Sequence, residues 1–280
     1  MCVIAFSIAA NPVWPLVIAA NRDESLLRPT APLARWTSPS GATIVSGRDL
    51  RDGGTWLGLT PLGRVAMLTN VRHGPPASGE LSRGQLVTRW LESNQSTADF
   101  ENSVEASRYA GFNLVFGDLS SGEWRWCSNR GPDGAELKRP VSRRLAAGLY
   151  GLSNAALDTP WPKSLRLRQR LDASVAAAAQ RPSPEQDAFL RDQLFSALAD
   201  RTSAGIDELP ATGLSEAQEK KLSSIYIEPD ARRYGTVSSA VILVREGKAL
   251  FAEHRHHVAS DAASQLEVAL TSDPRALRTL

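Results

Sequence analysis

The chain begins with two short apolar runs, and Cys2 is the first residue of the first run. The runs cover residues 2–9 and 16–20, and Asn11 and Pro12 lie between them. Because Asn and Pro are typical turn residues, this pattern predicts a buried β-hairpin. We therefore expect Cys2 to begin a strand and the polar residues after Ala20 to end its partner strand.

Strand-like and helix-like segments alternate along the rest of the chain. Short apolar runs between turns predict strands at 43–46, 55–59, 65–69, 112–116, 123–127, 224–227, 238–244 and 250–252. Apolar residues at helical spacing predict helices over 82–92, 97–109, 163–179 and 185–199. Trp124 and Trp126 are expected on one face of their strand, with Cys127 on the other face as a core residue. This order favours two antiparallel sheets packed face to face with helices outside, a four-layer αββα sandwich of the α+β class.

Length, charge and cysteine content narrow the class of protein. Without an internal repeat or a low-complexity linker, residues 1–280 are expected to form a single domain. The formal net charge of +2 gives no electrostatic case for binding nucleic acid. The only cysteines are Cys2 and Cys127, which favours a reducing, cytoplasmic location. The first apolar stretch is interrupted by Asn11 and two prolines, so we expect neither a signal peptide nor a transmembrane segment.

Cys2 acquires its own general base when Met1 is removed. An N-terminal cysteine carries a thiol nucleophile and an α-amine, whose pKa of about 7.7–8.0 lets it accept a proton near neutral pH. Cysteine at position 2 is also small enough for Met1 to be trimmed. The sequence therefore indicates Cys2 as a candidate catalytic nucleophile.

The polar residues 21–24 are expected at the end of the second strand, close to Cys2. An arginine lowers the pKa of a neighbouring thiol, and an aspartate can hold an α-ammonium group or the arginine. Arg22 and Asp23 are therefore candidate catalytic residues, and Asn21 is a candidate substrate contact. The Arg-rich helix start at 163–170 is expected to be a solvated basic face, with an anion-binding surface as the alternative.

Three further asparagines, Asn70, Asn113 and Asn154, lie at or near the ends of apolar runs. A side-chain amide can donate a hydrogen bond to a developing oxyanion. Asn70 and Asn154 are the candidate oxyanion donors, and Asn113 is a candidate substrate contact. Arg72 and His73 are candidate substrate-binding residues at the same rim. Hydrogen bonding within turns and strand ends is the alternative role for each of these residues.

Seven short motifs follow one another along the whole chain. They are MCVIAF at 1–6, NRDE at 21–24, GGTWLG at 53–58, TNVR at 69–72, GFNL at 111–114, GLSN at 151–154 and YGTVSS at 234–239. Their order and spacing resemble the transport and Golgi organisation 2 family, also called NRDE proteins. The resemblance implies an Ntn-hydrolase-like αββα fold, similar to the choloylglycine hydrolase and penicillin V acylase group, in which an N-terminal Cys attacks a linear amide. In that group an Arg and an Asp follow the second strand; they map onto Arg22 and Asp23, which are adjacent here and separated in the acylases.

Two main functions are open at this stage. The first is hydrolysis of a linear C–N amide in a small acylated molecule, with Cys2 as nucleophile and no cofactor required. The second is a non-enzymatic carrier of haem or an acyl lipid in the same cleft, because the resembled family has been linked to secretory organisation, lipid metabolism and haem movement. A scaffold that neither turns over nor binds a ligand is a third.

Haem binding would need an axial ligand and an apolar slot. Cys2 and His73 are the candidate axial ligands. The slot would be lined by tryptophans, namely Trp36, Trp56, Trp90, Trp124, Trp126 and Trp161. The chain has no zinc-like spacing of Cys and His, so no metal site is expected.

Overall fold

A six-stranded antiparallel sheet contains the predicted N-terminal hairpin. The computed structural model describes residues 2–73, 79–258, 263–271 and 273. The strands of this sheet, in spatial order, are β10 (Gly148–Leu152), β1 (Cys2–Ile8), β2 (Leu16–Ser25), β11 (Tyr234–Arg245), β12 (Lys248–Arg255) and β13 (Ala263–Ala269). Cys2, the first residue of β1, lies directly opposite Arg22 of β2. The hairpin therefore brings the NRDE motif to the start of the first strand, as the sequence predicts.

A seven-stranded antiparallel sheet packs against the first sheet. Its strands are β3 (Thr30–Thr37), β4 (Thr43–Asp49), β5 (Leu57–Leu59), β6 (Arg64–Asn70), β7 (Phe112–Asp118), β8 (Glu123–Arg130) and β9 (Glu136–Leu145), and they are neighbours in chain order. Side chains from both sheets, including Ile4, Phe6, Val115 and Trp124, form one buried cluster between the sheets. The two sheets therefore share a core.

Helices cover the outer face of each sheet. Two long helices, α3 (Pro162–Ala179) and α4 (Ser183–Leu198), pack on the six-stranded sheet. The short helices α1 (Gly84–Glu92) and α2 (Thr97–Asn102) pack on the seven-stranded sheet, and α5 (Glu216–Lys221) follows α4. These layers confirm the predicted αββα sandwich. Among the described residues, no helix combines the length and hydropathy that a membrane span requires.

The alternation along β1 determines where Cys2 faces. Ile4 and Phe6 belong to the cluster between the sheets, whereas Val3 and Ala5 pack against the outer helices. Because side chains alternate along a strand, Cys2 lies on the same face as Ile4, toward the seven-stranded sheet. The same alternation on β8 places Trp124 between the sheets and Cys127 under the outer helices, as predicted.

Two predicted elements are wrong. Residues 97–109 do not form one helix: α2 ends at Asn102, and a separate 3₁₀ turn covers Ala106–Arg108. The hydroxyl of Ser103 donates to the carbonyl of Phe100 at 2.7 Å, a local bond that competes with continuation of the helix. Residues 224–227 are not a strand, because the Ser224 hydroxyl donates to the Tyr226 carbonyl at 2.6 Å and the segment curls.

Several observed strands have no counterpart in the prediction, and one predicted strand is shorter. Strands β3, β9, β10 and β13 were not expected, and the strand predicted over 55–59 covers only Leu57–Leu59. Strands β3, β9 and β13 lie at sheet edges, where exposed polar residues replace the alternating apolar pattern that identifies a half-buried strand.

Candidate active site

A cavity of about 630 Å³ lies at the strand ends where the N-terminal hairpin meets the seven-stranded sheet. Four of the residues predicted to be catalytic line this cavity: Cys2, Arg22, Asp23 and Asn70. Residues of the GGTWLG motif and the start of α1 also line it. The fold therefore gathers residues from distant parts of the chain around the Cys2 thiol.

Cys2 and Arg22 are held side by side by the register of β1 and β2. Both residues are only 7% exposed. Nη1 of Arg22 donates to Oγ1 of Thr30 at 3.1 Å, and its Nη2 lies 3.8 Å from Oδ2 of Asp49. Burial raises the pKa of the Cys2 thiol, and the opposing effect of Arg22 does not reverse this shift. The lowering of the thiol pKa expected from Arg22 is therefore outweighed by burial, and attack by Cys2 calls for a base.

Asp23 is fixed by the YGTVSS motif on the neighbouring strand β11. Its Oδ1 accepts a hydrogen bond from Oγ1 of Thr236 at 2.7 Å, and its carbonyl accepts one from the hydroxyl of Tyr234 at 2.9 Å. Burial raises the pKa of Asp23, and the nearby Lys163 acts in the opposite direction. The carboxylate is thus rigidly placed beside the start of β1.

Lys163 was not recognised from the sequence as part of this region. Its side chain lies in the first turn of α3 and is 1% exposed, so the predicted solvated basic face is wrong at this residue. Within the described part of the chain, its Nζ has no hydrogen-bond partner. Burial lowers the pKa of Lys163 to about 8, against the opposing effect of Asp23. A lysine directly after a proline at a helix start is typical of a surface position, so nothing in the sequence indicated that Lys163 is buried.

Asn70 and Asn154 form a pair at the cavity wall. Nδ2 of Asn154 donates to the carbonyl of Asn70 at 3.0 Å and to Oδ1 of Asn70 at 3.2 Å. Because Oδ1 of Asn70 accepts this bond, the Nδ2 group of Asn70 is free to donate elsewhere. Asn154 itself is fully buried, is not among the cavity-lining residues, and lies behind Asn70. Of the two candidate oxyanion donors, Asn70 is the one that reaches the cavity.

The four candidate substrate contacts lie elsewhere. Asn21 is fully buried on the outer side of β2, where its Nδ2 donates to the carbonyls of Leu198 and Ile225. Asn113 is also fully buried, and its Nδ2 donates to the carbonyl of Ala155 at 2.8 Å.

The remaining two candidates, Arg72 and His73, also do not line the cavity. Arg72 forms a buried ion pair with Glu219 at 2.7 Å and stacks over Trp161. His73 is exposed and lies against Gly134. Neither is among the residues that line the cavity. These placements give all four side chains a structural environment and no contact with the cavity.

The tryptophans that were expected to line a haem slot lie in different parts of the fold. Trp90 is in the layer outside the seven-stranded sheet, whereas Trp124 and Trp126 are between the sheets. Trp56 lines the cavity with Cys2, and Trp161 stacks with Arg72. In the described parts of the chain, no group of three or more metal-ligating side chains is close enough to hold an ion.

Charged residues that line the cavity were also missed. Nε of Arg28 lies 2.6 Å from Oδ2 of Asp49, and its Nη2 lies 2.6 Å from Oδ2 of Asp52. Arg83 lines the cavity from the start of α1, and its Nη1 donates to the carbonyl of Gly111 at 3.2 Å. Arg48 lies over the Trp36 ring at 4.8 Å. Arg28 lies in a turn, Arg48 at the end of β4 and Arg83 directly before α1, and no local sequence pattern marks these positions as part of a cavity.

Comparison with known proteins gives a consistent set of similarities. The model of the family "Transport and Golgi organisation 2" matches residues 1–257. The Transport and Golgi organization protein 2 homolog of Bos taurus is 34% identical over 276 residues, covering 90% of this chain and 92% of that protein. The Homo sapiens homolog is 31% identical, and the Drosophila melanogaster protein is 27% identical.

Two solved structures are similar in fold. A C2A mutant of the conjugated bile acid hydrolase from Clostridium perfringens aligns with a TM-score of 0.53 and 7% identity, covering 97% of this chain and 98% of that chain. The Caenorhabditis elegans ortholog of N-acylethanolamine-hydrolyzing acid amidase aligns with a TM-score of 0.50 and 11% identity, covering 87% and 92%. At these identities the likeness concerns the fold, which is that of the Ntn-hydrolases.

Proposed function

Because this chain belongs to the Transport and Golgi organisation 2 family and has an Ntn-hydrolase-like fold, we propose that it is an amidohydrolase with Cys2 as its N-terminal nucleophile. Its substrate is a small acylated molecule with a linear C–N amide bond. The observation that carries the proposal is the position of Cys2. The residue begins β1, lines the cavity and lies directly opposite Arg22.

The reaction starts with transfer of the thiol proton. After removal of Met1, the α-amine of Cys2 accepts this proton while the sulfur attacks the carbonyl carbon of the amide. The C–N bond then breaks, and the amine leaves with the proton. Water hydrolyses the resulting thioester, which releases the acid and restores the thiol. Because burial raises the pKa of the Cys2 thiol, proton transfer must accompany the attack.

The residues around Cys2 have separate roles in this proposal. Asp23 accepts a hydrogen bond from the α-ammonium group, and its fixed orientation by Thr236 supports that role. Arg22 holds the strand end and adds positive charge beside the sulfur. Asn70 donates from Nδ2 to the developing oxyanion, and Asn154 positions the Asn70 amide for that bond.

The similar structures support the reaction type. Their names describe hydrolysis of conjugated bile acids in one case and of N-acylethanolamines in the other. Together with the cavity around Cys2, these activities support an acyl amide as the substrate class here.

The proposal is tested by N-terminal mass and by turnover. The mass of the N-terminal peptide from reduced protein shows whether Met1 is removed, and the protein is then screened with linear acyl amides. We expect Cys2→Ala to abolish hydrolysis. Cys127→Ala is the matched control. Cys127 is fully buried between the seven-stranded sheet and its outer helices, so this variant should keep the wild-type activity. Undiminished hydrolysis by Cys2→Ala, or full activity in protein that retains Met1, would overturn the mechanism.

Haem binding stays a separate prediction for the same cavity. Of the two candidate axial ligands, Cys2 lines the cavity and His73 does not. A spectroscopic titration with haem therefore compares the wild type with Cys2→Ala. A Soret shift that depends on Cys2 would support the carrier function, and its absence at micromolar protein would remove it.

A further inference from the structure

Some of the described charged side chains that line the cavity form ion pairs with one another, and Arg83 does not. Arg28 bridges Asp49 and Asp52, and Arg51 lies 3.2 Å from Asp52. These side chains neutralise one another. Arg83, directly before α1, lines the same cavity as Cys2.

Arg83 lacks a carboxylate partner within the described ranges. The only hydrogen bond of its side chain there is the one from Nη1 to the carbonyl of Gly111. The guanidinium has five N–H donors, so most of them have no acceptor on the described residues. Burial lowers the pKa of Arg83, and Cys2 and Glu24 act in the opposite direction, so both lie within electrostatic range of the guanidinium.

The backbone that carries Arg83 is tightly packed. A Cβ atom at Gly54 would lie 2.6 Å from the carbonyl carbon of Gly84, the first residue of α1. The GGTWLG turn and the start of α1 are therefore in direct backbone contact. This contact fixes the backbone next to Arg83, whose side chain lines the cavity.

An unpaired guanidinium in a partly desolvated cavity is a binding site for an anion. Arginine presents its donors in a planar fork that matches carboxylates and similar oxyanions. We propose that Arg83 binds an anionic group of the substrate, so that the amides hydrolysed at Cys2 are anionic acyl amides. This inference rests on the proposed function, which supplies the hydrolysis at Cys2. The surroundings of Arg83 add that the substrate is anionic.

The test uses three amides with the same acyl length. N-lauroylglycine carries a carboxylate on the amine side, the monoethanolamide of dodecanedioic acid carries one on the acyl side, and N-lauroylethanolamine is neutral. For the wild type we expect a higher kcat/KM for one of the two anionic amides than for the neutral one. Arg83→Gln should lower kcat/KM for that anionic amide about 10–100-fold and leave the neutral amide within about threefold.

Two variants control for charge and for folding. Arg144→Gln removes one positive charge from a residue that is 72% exposed on β9 and outside the cavity, so it should not change the preference. Arg83→Lys keeps the charge without the planar fork and should lose part of the preference for the anionic amide. It provides a second test of the proposal if Arg83→Gln folds poorly.

Binding to the Cys2→Ala protein separates this inference from the proposed function. In that background, calorimetry with the two anionic amides should show weaker binding when Arg83 is changed to Gln. If binding depends on Arg83 but the wild type hydrolyses none of the amides, the hydrolase is contradicted and the anion site is retained. If turnover depends on Cys2 but Arg83→Gln keeps the wild-type preference, the anion site is overturned and the hydrolase is retained. Equal binding to Cys2→Ala with and without Arg83→Gln would also overturn the anion site.

Discussion

Lys163 is the side chain whose environment differs most from what its residue type predicts. It is 1% exposed, its Nζ has no hydrogen-bond partner among the described residues, and Asp23, Cys2 and Glu219 are the acidic groups that favour its charge. A buried ammonium group without a hydrogen bond is costly to folding. The fold therefore keeps this lysine at the expense of stability, as is typical of residues around a functional site.

This cost predicts a pH-dependent stability difference between the wild type and Lys163→Met. The pKa of Lys163 is lowered to about 8 from an ordinary value of 10.5, so the unfolded chain holds the proton that the folded chain releases between these values. Wild-type stability should therefore rise relative to Lys163→Met between pH 8 and pH 10.5, by about 3 kcal/mol. Urea unfolding of both proteins across this range measures the difference, and a difference that does not change with pH would contradict it.

Asn70 and Asn154 predict a graded loss of activity. Removing an oxyanion donor typically lowers kcat by about 10²–10³-fold, so Asn70→Ala should show a loss of that size with little change in KM. Asn154→Ala should lose less, because Asn154 acts by holding the amide of Asn70. Steady-state kinetics on the amide found with the wild type compare the two variants. An equal or larger loss in Asn154→Ala would reverse the roles.

The sequence grouped more residues around Cys2 than the structure brings to the cavity. Cys2, Arg22, Asp23 and Asn70 were expected together because strand ends meet, and all four line the cavity. Asn21 was included because it belongs to the same motif. Asn21, however, lies on the outer side of β2, and its side chain donates to the carbonyl of Leu198 in the helix layer. Arg83 and Lys163 carried no local signal, since only tertiary packing brings them to this region.

The contact between the GGTWLG turn and α1 predicts a local effect of an added methyl group. Gly54→Ala would place a Cβ atom 2.6 Å from the backbone of Gly84, which forces the two elements apart. We expect a loss of about 1–3 kcal/mol of stability and a fall of tenfold or more in kcat/KM, because Arg83 moves with α1.

Gly53→Ala is the matched control for that change. Gly53 has a φ of +78° and nothing within 4 Å of its Cβ position, so the substitution strains the turn by about 1–2 kcal/mol without touching α1. Thermal unfolding and turnover of both variants separate strain from displacement. Equal loss of activity in the two variants would show that the contact does not position the cavity wall.

Edge strands explain most of what the sequence did not predict at the scale of elements. In β9 nearly every residue is exposed or half-buried, so no alternation marks it. Residues 224–227 were predicted as a strand and are not one. They are buried like a core strand, but their backbone makes no regular strand pairing. Burial alone therefore does not distinguish a strand from a packed loop.

At the scale of the whole molecule, the order of elements determined the architecture. An N-terminal hairpin, a meander, two helical pairs and a C-terminal hairpin can bury all their apolar faces only in layers. The outer layers proved to have separate cores, one containing Trp14 and the other Trp90. The sheets share a third core, which includes Trp124. That the chain is one domain stays a prediction, and this shared core makes it testable.

We expect the four layers to unfold in one transition. Ile4 and Phe6 of one sheet pack with Val115 and Trp124 of the other, so neither sheet can lose its partner without exposing its inner face. Urea midpoints from far-UV circular dichroism and from tryptophan fluorescence should therefore coincide in the wild type, in Trp14→Phe and in Trp90→Phe, each variant removing one fully buried tryptophan from an outer layer. Each variant lowers the shared midpoint by its own packing loss. Two separated midpoints within any one of these proteins would mean that a sheet and its helices unfold as an independent unit, and the single-domain prediction would then be wrong.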